Sequence, residues 1–136
     1  MKRAILAPIL SLVLAVSLAA CGSSGSDLTG KAWQWSSGTE PGTPMPGLVP
    51  NPEQYTATFG TDGTVSVKAD CNSASGTYKA SSPSLTIALG PTSTAQCAPG
   101  SLSAVFLAAL PKASTYAVAG GALTVTLSDG GTMTLK

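Results

Sequence analysis

The sequence predicts a mainly β domain (α+β in class): a small curled antiparallel sheet, or half-open barrel, of about eight strands covered by one short helix. Three observations lead to this prediction. Apolar and polar residues alternate through most of the chain after Lys31, turn residues recur at hairpin spacing, and one stretch changes to helical periodicity. The length of 136 residues allows one ordinary domain with a short appendage.

The first 20 residues have the features of an export signal. Lys2 and Arg3 form a basic start, an uncharged apolar run follows, and Leu18-Ala19-Ala20-Cys21 resembles a bacterial lipobox. An uncleaved transmembrane helix is the alternative, because the uncharged stretch has spanning length. The lipobox favours a lipoprotein signal peptide over residues 1–20, followed by a lipidated Cys21 and a flexible tether over residues 21–27.

Lipidation predicts where the protein resides. Two or three acyl chains such as palmitate, at about 0.8 kcal/mol per buried CH₂, hold a domain on a bilayer. Position 22 is Gly and not Asp, which in known lipoproteins accompanies outer-membrane sorting. We therefore expect a lipid-anchored protein of the cell envelope, on the outer membrane and facing the periplasm in a host with two membranes.

Strands are expected where apolar residues recur with period two. These segments are residues 32–35, 55–59, 65–71, 76–78, 85–89, 116–118, 123–127 and 133–135. Asp62-Gly63, Gly120-Gly121 and Asp129-Gly130-Gly131 are turn signals between them. The spacing predicts consecutive hairpins within one folded domain over residues 28–136.

One helix is expected over residues 102–110. Its apolar residues follow the helical template i, i+3, i+4, i+7 and i+8; they are Leu102, Val105, Phe106, Ala109 and Leu110. Ser101 is placed as the N-cap, and Pro111 is expected to end the helix. A single apolar stripe needs a surface to cover, so the helix is expected to plug the barrel.

Residues 36–53 are predicted to form a long surface loop, because their five prolines cannot donate to a sheet. This loop and the neighbouring tryptophans are candidates for a partner contact, with a tolerated insertion and core packing of the tryptophans as the alternatives. The candidate contact residues are Trp33, Trp35, Met45, Leu48 and Val49.

Charge and residue types exclude several functions. Beyond the basic leader, five scattered lysines stand against six acids, so nucleic-acid binding is not expected. The chain has no His, which removes the commonest general base and the commonest metal ligand. The acids form neither an EF-hand loop nor a glycosidase pair. We therefore expect no enzyme activity, no cofactor and no metal.

Once Cys21 is lipidated, Cys71 and Cys97 remain as an even pair in an exported chain. A disulfide is expected, and closing about 26 residues would stabilise the domain by about 3.5 kcal/mol. Redox catalysis is the alternative, but the pair lacks the C-x-x-C spacing and an activating His. Period-two alternation predicts that the Cys71 side chain points inward.

The order of several short motifs resembles the META domain family, which includes the HslJ-like envelope lipoproteins. The motifs are Leu28-Thr29-Gly30-Lys31-Ala32-Trp33, Tyr55-Thr56-Ala57-Thr58-Phe59 with Asp62-Gly63, Cys71-Asn72 before Gly76-Thr77-Tyr78, Thr94-Ala95-Gln96-Cys97, Phe106-Leu107 with Leu110, and Leu123-Thr124-Val125. The chain departs from the family pattern in its longer Pro-rich loop and in Asp70, which occupies a position where the family usually has Gly.

The resemblance implies a compact β domain with a helix, two paired cysteines and no assigned catalytic activity. It links the chain with stress tolerance in the cell envelope. The expectation is a monomeric, non-enzymatic lipoprotein that acts by binding a protein or another component of the envelope. A small-ligand carrier that uses the barrel interior, and an inhibitor of a secreted enzyme that inserts the Pro-rich loop, are the alternatives. A carrier needs an unfilled interior, which Phe59, Val65, Leu85, Ile87, Phe106 and Leu123 would otherwise pack.

Overall fold

The computed structural model describes residues 27–39 and 47–136. The predicted signal peptide, Cys21 and Met45 lie outside the described residues. Eight antiparallel strands form a closed barrel in which each strand pairs with the next and the last pairs with the first. The predicted fold class is confirmed, and the sheet is fully closed.

The strands follow one another in chain order. They are β1 Ala32–Thr39, β2 Tyr55–Phe59, β3 Thr64–Ala69, β4 Asn72–Ser81, β5 Ser84–Thr92, β6 Ala113–Ala119, β7 Ala122–Leu127 and β8 Thr132–Leu135. The α-helix α1, Ser103–Ala109, lies between β5 and β6 and runs into a 3₁₀ turn over Leu110–Lys112. A second 3₁₀ turn, Pro52–Gln54, precedes β2.

Connections in this barrel alternate between its two ends, because each strand pairs antiparallel with its neighbours. We call the helical end the one that holds α1, the β1–β2 connection, and the β3–β4 and β7–β8 turns. The N-terminal end holds residues 27–31, the other three turns and the chain's last residue. Thr29 bridges to Phe59, the last residue of β2, and so fixes the start of the domain at the N-terminal end.

The barrel interior is filled by side chains from the alternating strands and from α1. All six residues predicted to pack it are buried: Phe59, Val65, Leu85, Ile87, Phe106 and Leu123. Phe106 of α1 stacks on Trp35 with ring centroids 5.2 Å apart, and both rings also contact Tyr55 edge-on. The helix therefore plugs the barrel as predicted, and the packed interior does not favour the small-ligand carrier.

Trp33 and Trp35 are buried, with 2% and 0% of their surfaces exposed, so the prediction that they offer a partner contact is wrong. Period two turns both rings to the inner face of β1. Burial is possible because each indole N–H finds a backbone acceptor: Trp33 donates to the Leu28 carbonyl at 2.8 Å and Trp35 to the Ser37 carbonyl at 2.9 Å. Both tryptophans therefore pack in the core, which was the alternative to a partner contact.

Val49 and Leu48, two of the candidate contact residues in the predicted loop, differ in how much of their surface is exposed. Val49 is 6% exposed, because its N–H donates to the Ser36 carbonyl at 2.9 Å and draws the side chain onto the core. Its predicted exposure is therefore wrong. Leu48 is 81% exposed, as predicted.

The predicted loop boundaries at 36–53 are wrong at both margins. Residues 36–39 belong to β1, where Ser37, Gly38 and Thr39 pair with β8. Hydroxyl contacts support this pairing: Ser36 Oγ donates to the Thr134 carbonyl at 3.0 Å. The predicted loop also ends in the 3₁₀ turn Pro52–Gln54, whose proline needs no N–H partner at a helix start.

The helix prediction is confirmed in position and corrected at its ends. The helix begins at Ser103, and Leu102 stands at the N-cap, one residue after the predicted Ser101. Ser101 still accepts a hydrogen bond from the Ser103 N–H at 3.2 Å. Pro111 continues into the 3₁₀ turn, because it lies among the first residues of that turn.

The predicted tight turn at Asp62-Gly63 is present between β2 and β3. Gly63 has φ +83°, a conformation that L side chains rarely adopt. The carboxylate of Asp62 accepts from the Thr64 hydroxyl at 2.6 Å and from the Thr64 N–H at 3.1 Å. These two hydrogen bonds hold the pKa of Asp62 below its usual value.

Gly76 of β4 lies opposite Leu89 of β5, beside an irregularity in their pairing. A Cβ at this position would run into the Ala88 carbonyl oxygen and lie 2.8 Å from Leu89 Cα, both backbone atoms. We predict that Gly76→Ala lowers the free energy of unfolding by about 1–3 kcal/mol or more, measured by urea denaturation. Gly47→Ala is the matched control, since nothing lies within 4 Å of its Cβ. Equal stability of the two variants would contradict this explanation.

Candidate functional site

The candidate site lies at the helical end, around the chain between β5 and α1. We call residues 93–101 the disulfide segment. Cys97 within it is bonded to Cys71 of the β3–β4 turn, with the two Cα atoms 5.5 Å apart. The predicted disulfide is confirmed, and it joins residues 26 positions apart in the chain.

The orientation predicted for Cys71 is wrong, because its side chain is exposed. β3 ends at Ala69, and Asp70 follows with φ +58°, which reverses the chain and breaks the alternation. Asn72 is the buried residue of this turn, with 8% of its surface exposed. Asp tolerates the left-handed conformation better than most residues, which suits Asp70 to this turn.

The carboxamide of Asn72 holds the disulfide segment against the barrel. Its Oδ1 accepts from the Ala95 N–H at 2.7 Å, and its Nδ2 donates to the Ala95 carbonyl at 2.9 Å. The two bonds reproduce the way one peptide group pairs with another in a β-ladder. Oδ1 also accepts from Ser93 Oγ at 3.1 Å, and Nδ2 donates to Ser103 Oγ at 3.0 Å. One buried side chain therefore connects β4, the disulfide segment and α1.

A surface cavity of about 440 Å³ opens between this segment and α1. Hydroxyls, backbone groups and methyls line it, and among the lining residues no side chain is charged. They are Asn72, Thr92, Ser93, Thr94, Ala95, Cys97, Ala98, Gly100, Ser101, Ser103, Ala104 and Leu107. Such a lining suits an uncharged ligand, since a buried charge would find no partner there.

A second cavity of about 200 Å³ lies on the other side of the segment. Its lining is more polar, and it contains Asn51 and Asp70, the two non-glycine residues with a positive φ within residues 27–39 and 47–136. Tyr55 borders it and accepts the Leu102 N–H through its hydroxyl at 2.9 Å. The residues that line it are Pro50, Asn51, Gln54, Tyr55, Asp70, Ala98, Pro99, Gly100 and Ser101.

The predicted site residues are distributed unevenly over this geometry. Leu48 lies in the β1–β2 connection, at the same end as the disulfide segment, whereas Trp33, Trp35 and Val49 are in the core. Within residues 27–39 and 47–136, no group of His, Cys, Asp or Glu is arranged to hold a metal ion. No helix in these ranges has the length and apolar character needed to cross a membrane.

Asn72 and Ser103 have no functional role in the sequence prediction. Asn72 appears there only beside Cys71 in a family motif, and Ser103 not at all. The sequence signal that could have pointed to Asn72 is a polar residue next to a paired cysteine, on a strand whose alternate side chains point inward. It does not identify the partner of the carboxamide, because Ala95 lies 23 positions away.

The fold and the site define a small closed β-barrel protein with a plugged interior and a disulfide-held segment at one end. The sequence profile of the META domain matches residues 26–136, so the chain belongs to the META domain family. Among solved structures, a DUF4847 family protein from Bacteroides vulgatus is similar with a TM-score of 0.62 at 13% identity, over 82% of this chain and 94% of that one. A protein from Burkholderia xenovorans is similar with a TM-score of 0.63 at 25% identity, over 81% and 83%. Comparison with curated protein sequences gives no significant match.

We predict that Asn72→Asp destabilises the protein by about 1–3 kcal/mol at neutral pH, because a carboxylate cannot donate to the Ala95 carbonyl. Urea denaturation with the disulfide intact measures this loss. The deficit should shrink as the pH falls from neutral toward about 4 and stay constant below that, because burial beside the Ala95 carbonyl raises the folded pKa of the new carboxyl above its unfolded value and its protonated form regains one donor. An unchanged urea midpoint at neutral pH would show that the carboxamide does not hold the segment.

Proposed function

We propose that this chain is an HslJ-like, lipid-anchored protein of the cell envelope, a non-enzymatic binding module whose recognition surface is the helical end. One observation carries the proposal: a covalent bond and the Asn72 carboxamide hold the disulfide segment in place between two open cavities. A surface that is already ordered loses little entropy when a partner docks.

The chemistry of the two cavities favours binding. Their linings consist of hydroxyls, amides, backbone groups and methyls, and they bring together one carboxylate, that of Asp70. A lone carboxylate has no partner for general acid and base catalysis, whereas amides and hydroxyls can donate to and accept from a neutral ligand.

The position of the anchor supports the choice of this end. Leu28 is fully buried at the N-terminal end, and the proposed lipid on Cys21 lies seven residues before it. The proposed tether therefore joins the domain at its N-terminal end, and the helical end is left free for partners in the envelope. A role in stress tolerance, which the family resemblance implies, is part of this proposal.

The anchor is tested by labelling cells with a palmitate analogue. Wild-type protein should incorporate the label and sediment with membranes, and Cys21→Ala should do neither. Equal labelling of the two proteins, or labelling of neither, would contradict the anchor.

The binding surface is tested by site-specific photocrosslinking in intact cells. A photoreactive residue at Ala98, on the segment, should capture a discrete envelope protein. The matched position is Ala119, which is exposed next to the β6–β7 turn at the N-terminal end and should not capture it. The same products from both positions, or products from Ala119 alone, would contradict the assignment of the helical end.

A further inference from the structure

The start of the disulfide segment has the alternation of a β-strand. The Ser93 N–H donates to the Ser73 carbonyl at 2.9 Å, and Ala95 pairs in both directions with the Asn72 carboxamide. Cys97 is then tied to Cys71. Residues 93, 95 and 97 are therefore attached to the β4 side, and residues 93–97 follow the end of β5 along the start of β4, outside the regular β-ladder.

Thr94 and Gln96 are the residues between these attachments. Both are exposed, and neither forms a hydrogen bond with any other part of the chain that the structure describes. Backbone N–H and C=O groups of a strand point alternately to its two sides. The peptide groups of Thr94 and Gln96 thus form a short edge with unused donors and acceptors, which can pair with a further strand.

The opposite wall of the cavity is α1. Ala104 and Leu107 present apolar side chains to it, and Ser103, with 5% of its surface exposed, also lines it. Ser103 Oγ accepts from Asn72, while its own hydrogen has no acceptor among the described residues. The cavity therefore has Thr94, at one end of this unpaired edge, on one wall, and Ser103, Ala104 and Leu107 on the other, while Gln96 lies beyond its lining.

We propose that this cavity binds an extended, uncharged peptide segment of a partner protein, which leaves the cavity at Thr94 and runs on past Gln96 as an added strand. Main-chain hydrogen bonds supply affinity in this recognition mode, and pockets for alternate side chains supply specificity. The ligand is neutral because the lining holds no charged side chain to pair with a desolvated charge. The volume of about 440 Å³ is within the range of pockets that enclose small ligands. This inference rests on the proposed function and names the partner chemistry for the same end of the barrel.

The test starts from a phage-displayed library of random octapeptides, selected against the disulfide-intact chain. Enriched peptides should be neutral and rich in β-branched residues. Once synthesised, they should slow amide hydrogen exchange at Thr94 and Gln96 by at least tenfold at saturation. N-methylation of every second peptide bond should weaken binding at least tenfold when it removes the N–H groups that face this edge. Methylation of the alternate bonds is the matched control and should cost less than twofold.

A protein variant supplies the complementary test. Gln96→Pro removes one N–H of the edge, and proline suits an extended segment, so it should weaken peptide binding about tenfold with the urea midpoint unchanged. If this variant folds poorly, the methylated peptides still decide the question. The proposal is overturned if no peptide is enriched, if charged peptides bind equally well, or if bound peptides leave exchange at Thr94 and Gln96 unchanged. If Ala98 still captures an envelope partner in those cases, strand pairing fails and the binding surface stands.

Discussion

The arrangement of the helical end depends on the carboxamide of Asn72. This side chain takes the place of a peptide group at the start of β4, and it pairs with Ala95 as a neighbouring strand would. It is nearly buried, so losing any of its partners would leave a polar group without compensation. The disulfide alone would fix one point of the segment; the carboxamide fixes its direction, and with it the walls of both cavities.

Closure of the barrel explains why the proposed recognition surface lies outside the barrel and not in its interior. Leu28 closes the N-terminal end, and α1 closes the helical end through the stack of Phe106 on Trp35. The aromatic rings, which could otherwise form a surface binding site, are packed in this core. The linings of the two cavities are polar or apolar and hold one charged side chain, Asp70, so the proposed recognition relies on backbone groups, hydroxyls and the shape of the cavities.

The sequence predicted the strands, the disulfide and the helix, because each leaves a local signal. Alternation is visible wherever one face of a strand is buried, and helical spacing is visible in the plug. Residues 36–39 were not predicted as part of a strand, because that part of β1 is polar throughout. It pairs with β8, a partner nearly a hundred positions away in the chain. The direction of Cys71 was missed because one left-handed residue, Asp70, reverses the alternation. The cavities were not predictable at all, since they arise from contacts between β4, the disulfide segment and α1.

The most direct test is amide hydrogen exchange in the unliganded protein, measured separately for each residue of the disulfide segment. The Asn72 pairing predicts alternation: the amides of Ser93 and Ala95 exchange slowly, while those of Thr94 and Gln96 exchange near the rate of an unstructured peptide. Asn72→Ala should remove the protection of Ala95. Uniformly fast exchange across residues 93–97 in the wild-type protein would contradict the account, because it would show that the segment is not held as a strand edge.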